Sequence, residues 1–153
     1  MSTPPQRRPA GLLKRGLIIL VILCGVFVGL NRFSGRHRVE SSESAQCANN
    51  MIALGFAARM WSNDNGDHLP PSFVAMSNEI VTPKILRCPS DRARQPLTRW
   101  ADVTADHVSY EMVSPGVPES DTQTVYLRCH IHGHQGYVDG TVVDNQGRRR
   151  SKQ

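Results

Sequence analysis

The sequence predicts an α+β protein: an N-terminal transmembrane helix that continues into an amphipathic helix packed on a small antiparallel β-sheet. Three observations predict it. Residues 17–30 form one apolar run without a charge. From Cys47 to Trp61 apolar residues recur at three- and four-residue steps, the period of a helix with one buried face. After residue 107 come three strand-like segments, the last of them folded about Asp139-Gly140.

Lys14 and Arg15 precede the apolar run and Arg32 follows it. A spanning helix needs roughly 20 mostly apolar residues, a length reached if Leu12 and Leu13 join the run and the charged ends of Lys14 and Arg15 fold back to the headgroups. The chain then divides into a cytoplasmic basic segment (1–15), a transmembrane helix (16–31), an extracytoplasmic domain (32–147) and a basic disordered tail (148–153). Arg7, Arg8, Lys14 and Arg15, with no acid among them, place the amino end inside by the positive-inside rule. The corresponding location is the inner membrane, single-pass, with the carboxy-terminal domain periplasmic. A cleaved secretory signal is the alternative, although no Ala-x-Ala site follows the run. Gly25 and Gly29 form a Gly-x-x-x-Gly pair that permits close approach of helices, so protein partners and self-association are expected through this segment.

The formal charge of +5 does not describe the domain. Four cations precede the apolar run and four lie in the tail; between residues 32 and 147 stand ten Lys/Arg and thirteen Asp/Glu. A mildly acidic domain argues against a nucleic-acid partner.

Ser41 and Ser42 can cap the amphipathic helix, and Glu43 suits the positive end of its dipole. Cys47, Met51, Leu54, Ala58 and Trp61 form its stripe, widened by Ile52 and Phe56. Asn63-Asp-Asn-Gly-Asp67 and Pro70-Pro71 stop it. Residues 73–81 read as a short helix, 84–88 as a strand-like stretch, and 92–106 as a loop anchored by Trp100. The strand candidates are 108–113, 124–130 and 137–143.

Cys24 lies inside the apolar run as a small packing residue, and Cys47 sits on the helical face, where burial is the simplest reading. Cys88 and Cys129, each at a strand edge beside turn residues, are the candidate disulfide in an oxidising compartment. On an extended strand His130, His132 and His134 would share one face and with Asp139 could hold zinc, but Gly133 and Gly136 argue for a turn, so structural or surface histidines with no metal or other cofactor are expected. Cys88, Cys129 and these histidines also compose the alternative function, an extracytoplasmic metal-binding or redox module. Residues 63–67 alternate oxygen ligands as calcium loops do, but His68 and Val74 occupy the positions where an EF-hand needs Gly and Glu. No nucleophile elbow, His-Glu-x-x-His or phosphate-binding glycine loop is present. No catalytic set is expected, and the chain reads as a non-enzyme.

Three stretches carry a resemblance: Cys47-Ala-Asn-Asn50 with Leu54-Gly-Phe-Ala-Ala-Arg-Met-Trp-Ser-Asn-Asp-Asn65, then Leu86-Arg-Cys-Pro-Ser-Asp91, and Cys129-His-Ile-His-Gly-His-Gln-Gly-Tyr-Val-Asp-Gly-Thr141. Together they resemble bacterial type IV pilin-like and pseudopilin-like proteins, whose carboxy-terminal box runs His…Asp-Gly. The resemblance implies a structural subunit or accessory of a type II secretion or pilus-like assembly. It also implies a prepilin-type cut between Gly16 and Leu17. Val21 stands at the fifth position after that cut, where the family carries Glu, so an unprocessed anchor stays open beside a processed one.

Overall fold

The computed structural model describes residues 10–151, with side chains for residues 18–30 and 39–151. The proposed cut at Gly16-Leu17 falls outside the described side chains, and residues 1–9 of the basic segment fall outside the description altogether. Helix α1 covers Ala10–Asn63. Five strands follow: β1 Tyr110–Met112, β2 Val125–Cys129, β3 His134–Tyr137, β4 Val142–Val143 and β5 Arg149–Arg150. They form one sheet in the order β1-β2-β3-β4-β5, with every neighbouring pair antiparallel. The chain divides into two compact units, residues 1–39 and 40–153.

The first unit corrects the expected anchor. Among the described residues no helix is long and apolar enough to cross a membrane. The uncharged described stretch, residues 18–30, is about 20 Å long at 1.5 Å per residue, against a hydrocarbon core of ~30 Å. Charges at Lys14, Arg15 and Arg32 close it at both ends. A transmembrane helix at 16–31, a membrane partner, and an inner-membrane, single-pass location with a periplasmic domain are therefore not supported. What the segment does show is exposed apolar surface, from Val26 at 54% to Phe27 at 69%.

The second unit is built on the carboxy-terminal half of α1. Cys47, Ala48, Met51, Leu54, Ala57 and Ala58 are all buried, and they share the core with Tyr126, Leu127, Val138 and Val142 of the sheet region. Two glycines set how closely helix and sheet approach. A Cβ on Gly55 would lie 3.3 Å from Gly140 Cα, and one on Gly136 would lie 3.4 Å from Met51 Cε. Phe56, expected in the stripe, is instead about half exposed; Ile52 packs at the core's margin. The helix ends where Asn65 Nδ2 donates to the Trp61 carbonyl at 2.7 Å, and Gly66 and Asp67 turn the chain with positive φ. The oxygen-rich run after the helix is thus spent on termination.

Between helix and sheet the structure departs from the expected elements. Pro83–Leu86 is a 3-10 turn, not part of a strand, because the Thr82 hydroxyl accepts the Lys84 N–H and Pro83 occupies the first turn. Residues 73–81 form hydrogen-bonded turns, with Ser77 N–H on the Val74 carbonyl and Glu79 N–H on the Met76 carbonyl. The basic stretch at 148–151, expected as a disordered tail, supplies the edge strand: Val142 pairs with Arg150 and Val143 with Arg149. Asp144 holds that hairpin by accepting Arg148 Nε at 2.7 Å and the Gln146 and Arg148 N–H groups.

The long loop is pinned by buried Asp91. Its carboxylate accepts the Ser109 hydroxyl at 2.7 Å, Arg94 Nη1 at 2.8 Å and the N–H groups of Ala93 and Arg94. Burial alone would raise its pKa; the Ser109 hydroxyl, the Arg94 guanidinium and the two amides overcome that and hold it at about 2. A folded pKa below the unfolded value of ~3.9 contributes stability that is complete above ~4 and is lost as pH falls toward 2. Asp91→Asn should therefore destabilise the domain by about 2 kcal/mol near neutrality, the scale of hydrogen bonds to a charged acceptor. In urea unfolding, the gap between wild type and variant should narrow steadily between pH 4 and pH 2. A gap independent of pH would contradict this account of Asp91.

Candidate metal centre

The fold brings together four side chains that lie far apart in sequence. Cys47 comes from the buried face of α1, Cys88 from the loop after the 3-10 turn, Cys129 from the end of β2, and His132 from the β2–β3 connection. Their donor atoms all lie within 4.8 Å of one another, with the three cysteines buried and the histidine partly so. In a tetrahedral zinc site, with Zn–S of about 2.3 Å and Zn–N of about 2.0 Å, donors sit roughly 3.5–3.8 Å apart. The observed cluster needs only a small contraction to reach that size.

Local turn chemistry explains how each ligand is presented. Cys129 pairs with His134 across the hairpin, so residues 130–133 form the connection and Gly133 closes it with φ of 68°. This curls His132 back over Cys129: residues 130–133 form the turn that Gly133 argues for, and alternate histidines share no strand face there. The backbone N–H groups of Ile131 and His132 reach the Cys129 sulfur, and that of Ser90 reaches Cys88. Amides aimed at sulfur favour a thiolate.

Three thiols this close cannot ionise independently. Hydrogen bonds from Cys47 and Cys88, and then the two amides, drive Cys129 far below the ordinary thiol range. The same contact with Cys129 pushes Cys47 and Cys88 up, Cys88 to about 11. The cluster thus favours a thiolate at Cys129 over the other two, and a cation among the sulfurs would ease further ionisation. The Tyr110 hydroxyl donates to Cys47 at 3.7 Å, which leaves the sulfur free to bind a metal.

His132 is oriented as a ligand. Its Nδ1 faces Cys88 Sγ at 3.3 Å and its Nε2 lies 3.1 Å from Ser90 Oγ. His134 stacks on it, with ring centroids 5.3 Å apart and planes inclined by 23°. Burial, followed by the nearby His132, lowers the pKa of His134, and its Nε2 lies 3.2 Å from Ser44 Oγ.

The residues singled out from sequence thus part ways. Cys88 and Cys129 meet, both as free thiols, and His132 meets them. His130 points outward to Glu111 at 2.9 Å. His134 backs the site from the side. Asp139 accepts the Thr141 N–H and hydroxyl, which makes it the turn residue of β3–β4. Cys47 was read as a packing residue, and the structure adds it as the fourth donor. Cys88, Cys129 and His132 stand within the metal-binding alternative, whereas Cys47, with no paired partner in sequence, carries no such signal.

Substituting any of Cys47, Cys88, Cys129 or His132 by Ala should lower zinc affinity by at least tenfold, whereas His130→Ala should leave it unchanged. Competition with a chromophoric chelator measures both. Equal losses for His130→Ala and His132→Ala would remove His132 from the donor set.

No protein-family model matches the chain, and neither the curated proteins nor the solved structures include a significant match to it.

Proposed function

We propose that this chain is a pilin-like structural subunit whose globular part is stapled by a zinc ion and which performs no catalysis. The observation that carries the reading is the meeting of Cys47, Cys88, Cys129 and His132 donors within 4.8 Å. Thiolate and imidazole donors in a tetrahedral set suit zinc over magnesium or calcium, which take oxygen. All four positions would be filled by protein, so no open position remains for an activated water; that is the pattern of structural zinc. The ion would fasten α1 to the loop at Cys88 and to the β2–β3 hairpin.

The subunit part of the reading is supported by the plan of the chain, a long helix that runs into a small antiparallel sheet. It is supported further by residues 18–30, where exposed Ile18, Leu20, Val21, Phe27 and Leu30 offer an apolar surface for helices of neighbouring subunits. Association through that surface, in a secretion or pilus-like assembly, is the proposed role.

Elemental analysis of the full chain should find one zinc per molecule, and chelation should lower its melting temperature by at least several degrees. A protein free of zinc whose melting is indifferent to added metal would sink the staple. Sedimentation should show concentration-dependent oligomers that Val21→Glu with Phe27→Glu dissolves. A wild-type chain that stays monomeric throughout would remove the subunit role.

A further inference from the structure

We infer that Ser90 and Glu43 are positioning residues of the metal centre, selecting Nδ1 of His132 as the atom that binds. The inference rests on the zinc reading above and extends it to residues that touch no metal.

The protons available at Ser90 fix the tautomer of His132. Ser90 has a single hydroxyl hydrogen, and its oxygen lies 2.6 Å from Glu43 Oε2. An ionised carboxylate only accepts, so the hydroxyl must donate to Glu43. The Ser90 hydroxyl, against a smaller penalty from burial and with help from Arg92, keeps the Glu43 carboxyl below its ordinary range. With its hydrogen committed, Ser90 Oγ can only accept from His132 Nε2, 3.1 Å away. Nε2 therefore carries the ring proton. Nδ1 is left with its lone pair toward Cys88 Sγ at 3.3 Å and toward the other thiols. Arg92 pairs with the second oxygen of Glu43 and fixes the carboxylate from the solvent side.

The relay Arg92–Glu43–Ser90–His132 is the arrangement by which a hydrogen bond to the remote nitrogen orients a ligating imidazole and makes it a better donor. It also explains why His132, and not its exposed neighbour His130, points inward. Glu43 lies one turn before Cys47 on α1, so one helix face supplies both a ligand and the orienting acid. Cys88 and Ser90 do the same from the loop.

The test uses the full-length chain and its Ser90→Ala, Ser90→Thr and Glu43→Gln variants, with zinc as the probe. Wild type should show His132 in one tautomer, protonated at Nε2, by long-range nitrogen–proton correlation. Ser90→Ala should show a mixture of tautomers in the chelated protein and bind zinc about 10- to 100-fold more weakly, and Ser90→Thr should restore both. Glu43→Gln, on a side chain at the protein's margin, should weaken binding in the same direction without loss of fold. Wild-type affinity in both Ser90→Ala and Glu43→Gln, with the tautomer unchanged, would overturn the relay while leaving the zinc site intact. A wild-type chain that binds no zinc would overturn both.

Discussion

The constraint on which the domain depends is charge among three sulfurs. Cys47, Cys88 and Cys129 converge in a buried place that favours a thiolate at Cys129 over the other two. Hydrophobic burial can bring three thiols together as small apolar groups. It gives no reason for an imidazole nitrogen to face them, nor for three backbone amides to aim at two of the sulfurs. A bound cation, as proposed, would account for all of these features at once, because it would neutralise thiolates at the sulfurs that the amides and His132 are arranged around.

The same constraint orders the fold. Cys47 and Cys88 are 41 residues apart, as are Cys88 and Cys129. Closing a loop of that length by a cross-link is worth about 4 kcal/mol in chain entropy. Two such closures are comparable with the whole stability of a small domain, typically 5–15 kcal/mol. The described secondary structure is correspondingly thin, with two- and three-residue strands at both sheet edges and a long irregular segment between residues 64 and 109. That segment is held by point contacts such as the Asp91 cradle and by buried Leu69, Met76, Leu86 and Leu97. The proposed metal staple would complement so modest a core.

How much of this was legible in the sequence divides along a physical line. Periodicity exposed the helix face from Cys47 to Ala58, and turn chemistry exposed the Asp139-Gly140 connection, because both signals are local. The membrane reading also followed a local signal, apolarity, but stopped short of the length a bilayer demands. Cys88, Cys129 and His132 of the candidate metal centre stand within the metal-binding alternative, but their grouping with Cys47 could not be read, since the four donors come from places joined only by tertiary structure. Cys47 looked like packing because a buried ligand on a helix stripe has the same sequence pattern as a buried core residue. The histidine cluster carries a local warning of its own, since Gly133 and Gly136 argue for a turn over a straight strand. Alternation along a strand would have grouped His130, His132 and His134, whereas Gly133 bends the chain and sends each to a different partner.

The chemistry that a closed site permits is narrow. A hydrolytic zinc needs a water in an open coordination position and a nearby base. With a zinc ion bound, all four positions would be taken by protein, and Glu43, which reaches the site through Ser90, accepts a hydroxyl while also pairing with Arg92. Nor do the sulfurs offer ready redox chemistry: all three are buried with no exposed surface, and a thiol must be reached to be attacked. The exposed cysteine, Cys24, lies apart on the apolar stretch of α1. Buried donors and a committed acid suit the site to the proposed task, holding helix, loop and hairpin in one arrangement.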